Sequence, residues 1–172
     1  NGGMLPSWMG EVVDAAAATG ANLGIHCHND TACAVANTMA AVEAGVMHVQ
    51  GTFNGYGERT GNADLSALIP NLQIKYGWDI LPPEQLAELT RIAHAIALVA
   101  HQPLLGRQPY VGHSSFAHKA GLHASAIKVD EMLYQHIDPA VVGNDMRMLI
   151  SDMAGRANIQ IKGEQLGFDL GD

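Results

Sequence analysis

The first 78 residues alternate predicted helices and strands at a regular interval, and this alternation constrains the fold most. Strands are predicted at 21–28 and 47–53, with about 25 residues from one to the next. A helix is predicted at 5–19, before the first strand, and further helices at 31–44 and 63–76, one after each strand. Parallel strands need such crossover helices, so the alternation predicts a parallel α/β fold.

The alternation then stops, and the second half of the chain is predicted to be mainly helical. A strongly periodic helix, opened by a proline pair, is expected at 83–101. Short helices are expected around 117–128 and 131–135. The change of pattern predicts two domains, 1–78 and 79–172.

The size of the chain limits how much of such a fold it can contain. With 172 residues, it is too short for a complete (β/α)8 barrel, which needs about 250 residues. The chain begins with Asn1 and has no initiator Met, which favours an excised or partial chain.

Charge and cysteine content exclude several classes of protein. The formal net charge is −8, from 17 acidic and 9 basic residues, which argues against nucleic acid as a partner. No apolar run has the length of a membrane helix, about 20 residues, so no membrane association is expected. Two cysteines, Cys27 and Cys33, make no disulfide framework, and we expect a reducing, cytoplasmic location.

The segment from His26 to Asp30, His-Cys-His-Asn-Asp, is the most informative for chemistry. Residues two apart in a strand point to the same face, so His26 and His28 are expected to project together. Two adjacent imidazoles at the carboxyl end of a strand are suited to bind a metal ion. Two polar residues at a strand end would have the same spacing, and the motif alone leaves that interpretation open.

A glycine-rich turn at 54–62 follows the second strand and opens onto the same edge of the sheet. Its glycines permit tight turning and leave Glu58, Arg59 and Asn62 facing a pocket. The spacing Gly-x-Gly-x-x-x-Gly lacks the dinucleotide-binding pattern, so a dinucleotide site is rejected. A glycine-rich turn without function has the same composition, and the neighbouring His-x-His favours a site.

These motifs resemble the family of 2-isopropylmalate, homocitrate and citramalate synthases, which are metal-dependent Claisen-condensing enzymes. The resemblance rests on His-x-His-Asn-Asp, on the turn Asn-Gly-Tyr-Gly-Glu-Arg-Thr-Gly-Asn, and on blocks at 116–123, 134–139 and 151–156. It covers nearly the whole chain, and the turn and the His-Ile-Asp-Pro block are most similar to the longer citramalate synthases. The resemblance implies the C-terminal fragment of a TIM (β/α)8 barrel, followed by a helical post-barrel linker and dimerisation region.

The family's roles carry over to six residues of this chain. His26, His28 and Asn62 match metal ligands, and Glu58 matches a catalytic glutamate beside the metal. His123 and Tyr134 match catalytic residues that the post-barrel region contributes to the partner's active site across a homodimer. The family's aspartate ligand lies on barrel strand one, which this chain lacks.

The resemblance further implies an acyltransferase that uses a divalent metal (Mg²⁺, Mn²⁺ or Zn²⁺) and acetyl-CoA as co-substrate. The favoured reaction condenses acetyl-CoA with pyruvate to (R)-citramalate, on the route to isoleucine. The nearest competing hypothesis is a 2-isopropylmalate synthase, which uses 2-oxoisovalerate on the route to leucine. A lyase of the same superfamily and a helical dimerisation module are two further hypotheses, and the isolated chain is expected to be inactive.

Overall fold

The computed structural model describes residues 2–119, 126–127, 129–149 and 156–168. The chain separates into two compact units. The first comprises Asn1–Pro82 and Ile92–Leu104, and the second comprises Pro83–Arg91 and Leu105–Asp172. The sequence-based boundary between residues 78 and 79 stays a prediction.

The first unit contains the alternating helices and strands that the sequence predicts. Its elements are α1 (Met9–Ala17), β1 (Gly24–His26), α2 (Ala34–Glu43), β2 (His48–Gln50), α3 (Leu65–Pro70) and the greater part of α5 (Leu89–Val99). A short 3-10 turn, Pro6–Trp8, leads into α1, because the fixed φ of proline suits the first turn of a helix.

The two strands pair in parallel, with Gly24 opposite His48 and His26 opposite Gln50. They are shorter than predicted, since only three residues of each strand pair with the other. Behind them, Cys27 packs with the buried residues Ala34, Ala63 and Leu68. This cluster joins the end of β1 to the start of α3, and so places both next to the predicted site.

The start and end of α3 have local causes. The Asp64 carboxylate accepts hydrogen bonds from the Ser66 backbone N–H at 2.9 Å and from the Ser66 hydroxyl at 2.7 Å, which caps the first turn. The helix ends at Pro70 and continues as a π-helical turn, Asn71–Lys75. The α-helix predicted at 63–76 is therefore interrupted after Pro70, because proline has no N–H to donate within a helix.

The second unit is made of short elements. They are α4 (Pro83–Leu86), the start of α5, β3 (Ala117–His118), β4 (Arg147–Met148), α6 (Arg156–Gln165) and the 3-10 turns Glu131–Leu133 and Pro139–Val142. The strands β3 and β4 pair in parallel. The buried Asn144 amide donates to the carbonyls of Tyr110 and Gly112 at 2.8 and 3.1 Å, and so links the residues before β4 to the segment that contains them.

Two predicted helices differ from the structure. The segment expected to be helical from residue 117 begins with β3, because Phe116 and His118 carbonyls accept from the backbone of Arg147 and Leu149. The long helix predicted at 83–101 is instead two helices, α4 and α5. Gly143 packs against the carbonyl of Ala87, at the break between them.

The predicted parallel α/β fold is confirmed: β1 and β2 are adjacent parallel strands joined by the crossover helix α2, which is the repeating unit of a (β/α)8 barrel. Within the part of the chain that the structure describes, no helix is long and apolar enough to cross a membrane.

Candidate metal centre

His26, His28 and Asn62 lie together at the carboxyl end of β1. The rings of His26 and His28 have centroids 5.3 Å apart and are nearly perpendicular, at 81°. The Asn62 Nδ2 lies 2.9 Å from His26 Nε2, and His28 and Asn62 form an antiparallel bridge. Three residues separated by up to 36 positions thus converge, as the two motifs predict.

Asn62 reaches this position because the turn before it leaves space for its side chain. A β-carbon on Gly57 would lie 1.8 Å from Asn62 Oδ1. Gly61 has φ +91°, and a β-carbon there would lie 1.9 Å from the Gly55 carbonyl oxygen. Glycine at 57 provides room, and glycine at 61 provides both room and a backbone conformation that other residues rarely adopt.

The turn is also tied to α5 and the segment that follows it. The Asn54 amide donates to the Ala93 carbonyl at 2.9 Å, and the Tyr56 hydroxyl donates to the Gln102 carbonyl at 2.9 Å. Asn54 itself has φ +61°, a conformation that asparagine adopts more readily than most residues. These two hydrogen bonds fix the turn to α5 and to the residues that follow it.

An ion pair links the same turn to the loop after β1. Arg59 Nε lies 2.8 Å from Asp30 Oδ1, and Arg59 Nη2 lies 3.1 Å from Asp30 Oδ2. This two-point geometry fits the planar guanidinium to the carboxylate. The Arg59 hydrogen bonds lower the pKa of Asp30, and the same contact raises the pKa of Arg59.

Replacing Arg59 with Met is expected to raise the pKa of Asp30 toward its ordinary value, because the donated hydrogen bonds are lost. A carboxyl pKa that is lower in the folded state stabilises the fold above the unfolded-state pKa, and that contribution is lost as the pH falls through the folded-state pKa. An NMR titration of the Asp30 carboxyl carbon measures the change. A Glu88→Gln variant, which removes the exposed Glu88–Arg91 pair elsewhere, is the control; equal Asp30 titrations in Arg59→Met and wild type would contradict the prediction.

The donor set fits a divalent cation, although it is incomplete by itself. Imidazole nitrogens and an amide oxygen are common metal ligands. The His28 Nδ1 is buried and has no hydrogen-bond partner among the described residues, and an unpaired buried nitrogen has a cost that a ligand can relieve. Among the described residues, His, Cys, Asp and Glu side chains form no group of three or more suited to a metal ion, so further ligands must supplement these three.

The other predicted site residues are placed as follows. Glu58 is on the same turn as Asn62; its carboxylate is 81% exposed and lies 3.7 Å from Arg59 Nη1. Tyr134 follows the 3-10 turn Glu131–Leu133 in the second unit and is exposed. His123 lies outside the described residues. The structure therefore brings together His26, His28 and Asn62, and the roles of all six residues stay predictions.

The sequence did not predict the contact between Asp30 and Arg59. No local spacing indicates the pair, because 29 residues separate its members. The neighbouring Asn29 has a different partner, since its Oδ1 accepts from the N–H of Ala34, the first residue of α2, at 3.1 Å. Cys27 lies in the buried cluster with Ala34, Ala63 and Leu68.

Comparison with known proteins supports the motif-based interpretation. Residues 2–96 match the family described as HMGL-like, and residues 110–172 match the homocitrate synthase post-HMGL domain-like family. The chain is 63% identical to an (R)-citramalate synthase of Streptomyces coelicolor and 47% identical to an (R)-citramalate synthase of Aquifex aeolicus. Each match covers 99% of this chain and 32% or 33% of the relative, so the chain spans about a third of the length of these relatives.

A solved structure is similar in fold. It is an HMG-CoA lyase from Acinetobacter baumannii in complex with coenzyme A and 3-methylmalate, with a TM-score of 0.52 and 18% sequence identity. The likeness covers 60% of this chain and 36% of that one. At this identity, it supports the fold of the strands and helices and carries no further conclusion.

Proposed function

The chain belongs to the HMGL-like family, and from that premise we propose that it supplies one side of the active site of a citramalate synthase. The proposed reaction joins acetyl-CoA, pyruvate and water to give (R)-citramalate and free CoA. The observation that carries the proposal is the convergence of His26, His28 and Asn62 at the end of β1. The similarity to the two (R)-citramalate synthases supports the choice of substrate.

His26, His28 and Asn62 would hold a divalent cation, Mg²⁺, Mn²⁺ or Zn²⁺. When bound, such a cation polarises the carbonyl of a 2-oxo acid and stabilises the negative charge that develops on its oxygen. In the structure the Asn62 Nδ2 lies 2.9 Å from His26 Nε2, so the two side chains already lie together. To hold a cation, the Asn62 amide would turn its oxygen toward the ion and this hydrogen bond would be given up.

Glu58, His123 and Tyr134 are proposed to move the protons. The condensation requires a base that removes a proton from the methyl group of acetyl-CoA and an acid that protonates the new alkoxide. The exposed Glu58 carboxylate, on the turn that carries Asn62, is accessible to a substrate. His123 and Tyr134 are proposed to act in the active site of a second subunit, which makes the functional form a homodimer.

The test is thiol release from acetyl-CoA by the full-length protein that carries these 172 residues, with Mg²⁺ or Mn²⁺. Pyruvate and 2-oxoisovalerate are supplied in separate reactions, and a reaction without a 2-oxo acid is the control. Thiol release with pyruvate is the expected result. The product of that reaction is expected to have the chromatographic mobility of (R)-citramalate.

Two outcomes would overturn the proposed substrate. A preference for 2-oxoisovalerate would identify a 2-isopropylmalate synthase, with the same site and a different acceptor. Release with neither acid, from folded protein, would favour other 2-oxo acids or lyase chemistry.

A further inference from the structure

We propose that the Asp30–Arg59 ion pair positions Asn62 beside His26 and His28. It does so by securing one end of a short ladder, the antiparallel backbone pairing between the residues after β1 and the turn before α3. This inference rests on the proposed metal centre and concerns two residues to which no role in it has been given. The pair lies between the two loops that carry the proposed ligands.

The ladder is visible in the backbone hydrogen bonds. Residues 61–63 run antiparallel to residues 27–29: the Ala63 N–H donates to the Cys27 carbonyl at 2.9 Å, and the Asn29 N–H donates to the Gly61 carbonyl at 2.9 Å. Between these two bonds lies the His28–Asn62 bridge. The ladder therefore sets the distance between two proposed metal ligands.

The two ends of the ladder are secured differently. At the inner end, Cys27 and Ala63 belong to a buried cluster. Beyond the outer bond, between Asn29 and Gly61, the next side-chain contact is the Asp30–Arg59 ion pair. A short ladder secured at one end opens from the other, because terminal hydrogen bonds are the easiest to break.

The turn requires such a restraint because Arg59 has a strained backbone. Its φ is +60°, in the left-handed region that is sterically unfavourable for a residue with a β-carbon. The side chain is aimed at Asp30 from this conformation, with both carboxylate oxygens within hydrogen-bonding distance. Without the two-point contact, Arg59 can relax toward ordinary φ values, and the turn before Asn62 is released.

Stability alone does not explain the pair. The side chains are 47% and 32% exposed, and exposed ion pairs contribute little to the free energy of folding. The effect of removing the pair is therefore expected at the adjacent ligands and hardly in the overall stability.

The experiment compares wild type, Arg59→Met, Arg59→Lys and Glu88→Gln in the full-length protein that carries these 172 residues. Arg59→Met keeps the length of the side chain and removes its hydrogen-bond donors. Arg59→Lys keeps the positive charge but loses the planar guanidinium that binds both carboxylate oxygens. Glu88→Gln removes an exposed ion pair in the second unit and serves as the matched control. Amide hydrogen exchange is measured by NMR without metal, at Asn29 and at Ala63.

In Arg59→Met, exchange at Asn29 is expected to accelerate about tenfold, with a smaller change at Ala63, because the ladder opens from its outer end. Arg59→Lys is expected to restore part of the protection, and Glu88→Gln to change neither amide. Equal acceleration at both amides would indicate a general loss of stability and overturn the proposal, as would unchanged exchange at Asn29.

Mn²⁺ binding is measured on the same proteins, by paramagnetic broadening of the His26 and His28 ring resonances, which detects weak sites. Arg59→Met is expected to bind Mn²⁺ about tenfold more weakly, the lower end of the effect of removing a residue that orients a ligand. Unchanged affinity in this variant would overturn the positioning role. If wild type itself shows no broadening, the proposed metal centre fails. The difference in amide exchange between Asn29 and Ala63 then still decides whether the ion pair secures the ladder.

Discussion

Replacing His28 with Ala in the full-length protein is expected to reduce thiol release from acetyl-CoA with pyruvate by at least about a hundredfold. His28 is one of three proposed ligands, and a cation that polarises a carbonyl contributes several kcal/mol, where each 1.4 kcal/mol corresponds to tenfold in rate. The side chain is partly buried at the bridge to Asn62, so alanine leaves a gap that no neighbouring ligand fills. Turnover and bound Mn²⁺ are measured together, because loss of the ligand lowers both.

His48→Ala is the matched control for this experiment. His48 is an exposed histidine on β2, opposite Gly24 in the neighbouring strand. We expect its replacement to leave turnover and metal content within about twofold of wild type, as is usual for surface substitutions away from a site. Turnover of His28→Ala within a few-fold of wild type would remove His28 from the metal centre.

Replacing Leu68 with Ala is expected to lower the free energy of unfolding by about 3 kcal/mol, within the usual range for such substitutions in a core. Leu68 is fully buried and packs with Cys27, Ala34 and Ala63. The substitution leaves a cavity beneath the end of β1, and the surrounding backbone closes it only partly. Urea unfolding of the 172-residue chain measures the change.

Leu98→Ala provides the comparison, since Leu98 is 76% exposed on α5. Its removal is expected to change the free energy of unfolding by no more than about 0.5 kcal/mol. Similar values for the two variants would show that the cluster beneath β1 does not support the fold.

Much of the fold was predictable because its signals are local. The alternation of polar and apolar residues, together with Gly20 and Gly45 at helix ends, indicates α1, α2 and the two strands. Element lengths were less predictable: each strand extends only as far as its neighbour can pair, and that depends on the other strand. The start of the helix predicted at 117–128 is a strand for the same reason, because β3 pairs with β4, about 30 residues later in the chain. Residues 120–125 and 128 of that predicted helix lie outside the described residues.

Some residues of the candidate site were likewise predictable from local sequence signals, whereas others were not. His26 and His28 were predictable from a period of two in a strand, and Asn62 from its place in a turn after the next strand, because both strands end at one edge. The ion pair was not predictable, since neither Asp30 nor Arg59 has a local signature that names the other. Contacts between loops depend on the folded arrangement of both loops.

Gly57 shows that a turn can be constrained by volume rather than by flexibility. Its φ is not in the left-handed region, yet a β-carbon there would overlap the Asn62 amide. Any other residue at this position must compete with Asn62 for the same space. A substitution at position 57 therefore displaces a proposed metal ligand, so the sequence requirement of this centre includes an atom that must be missing.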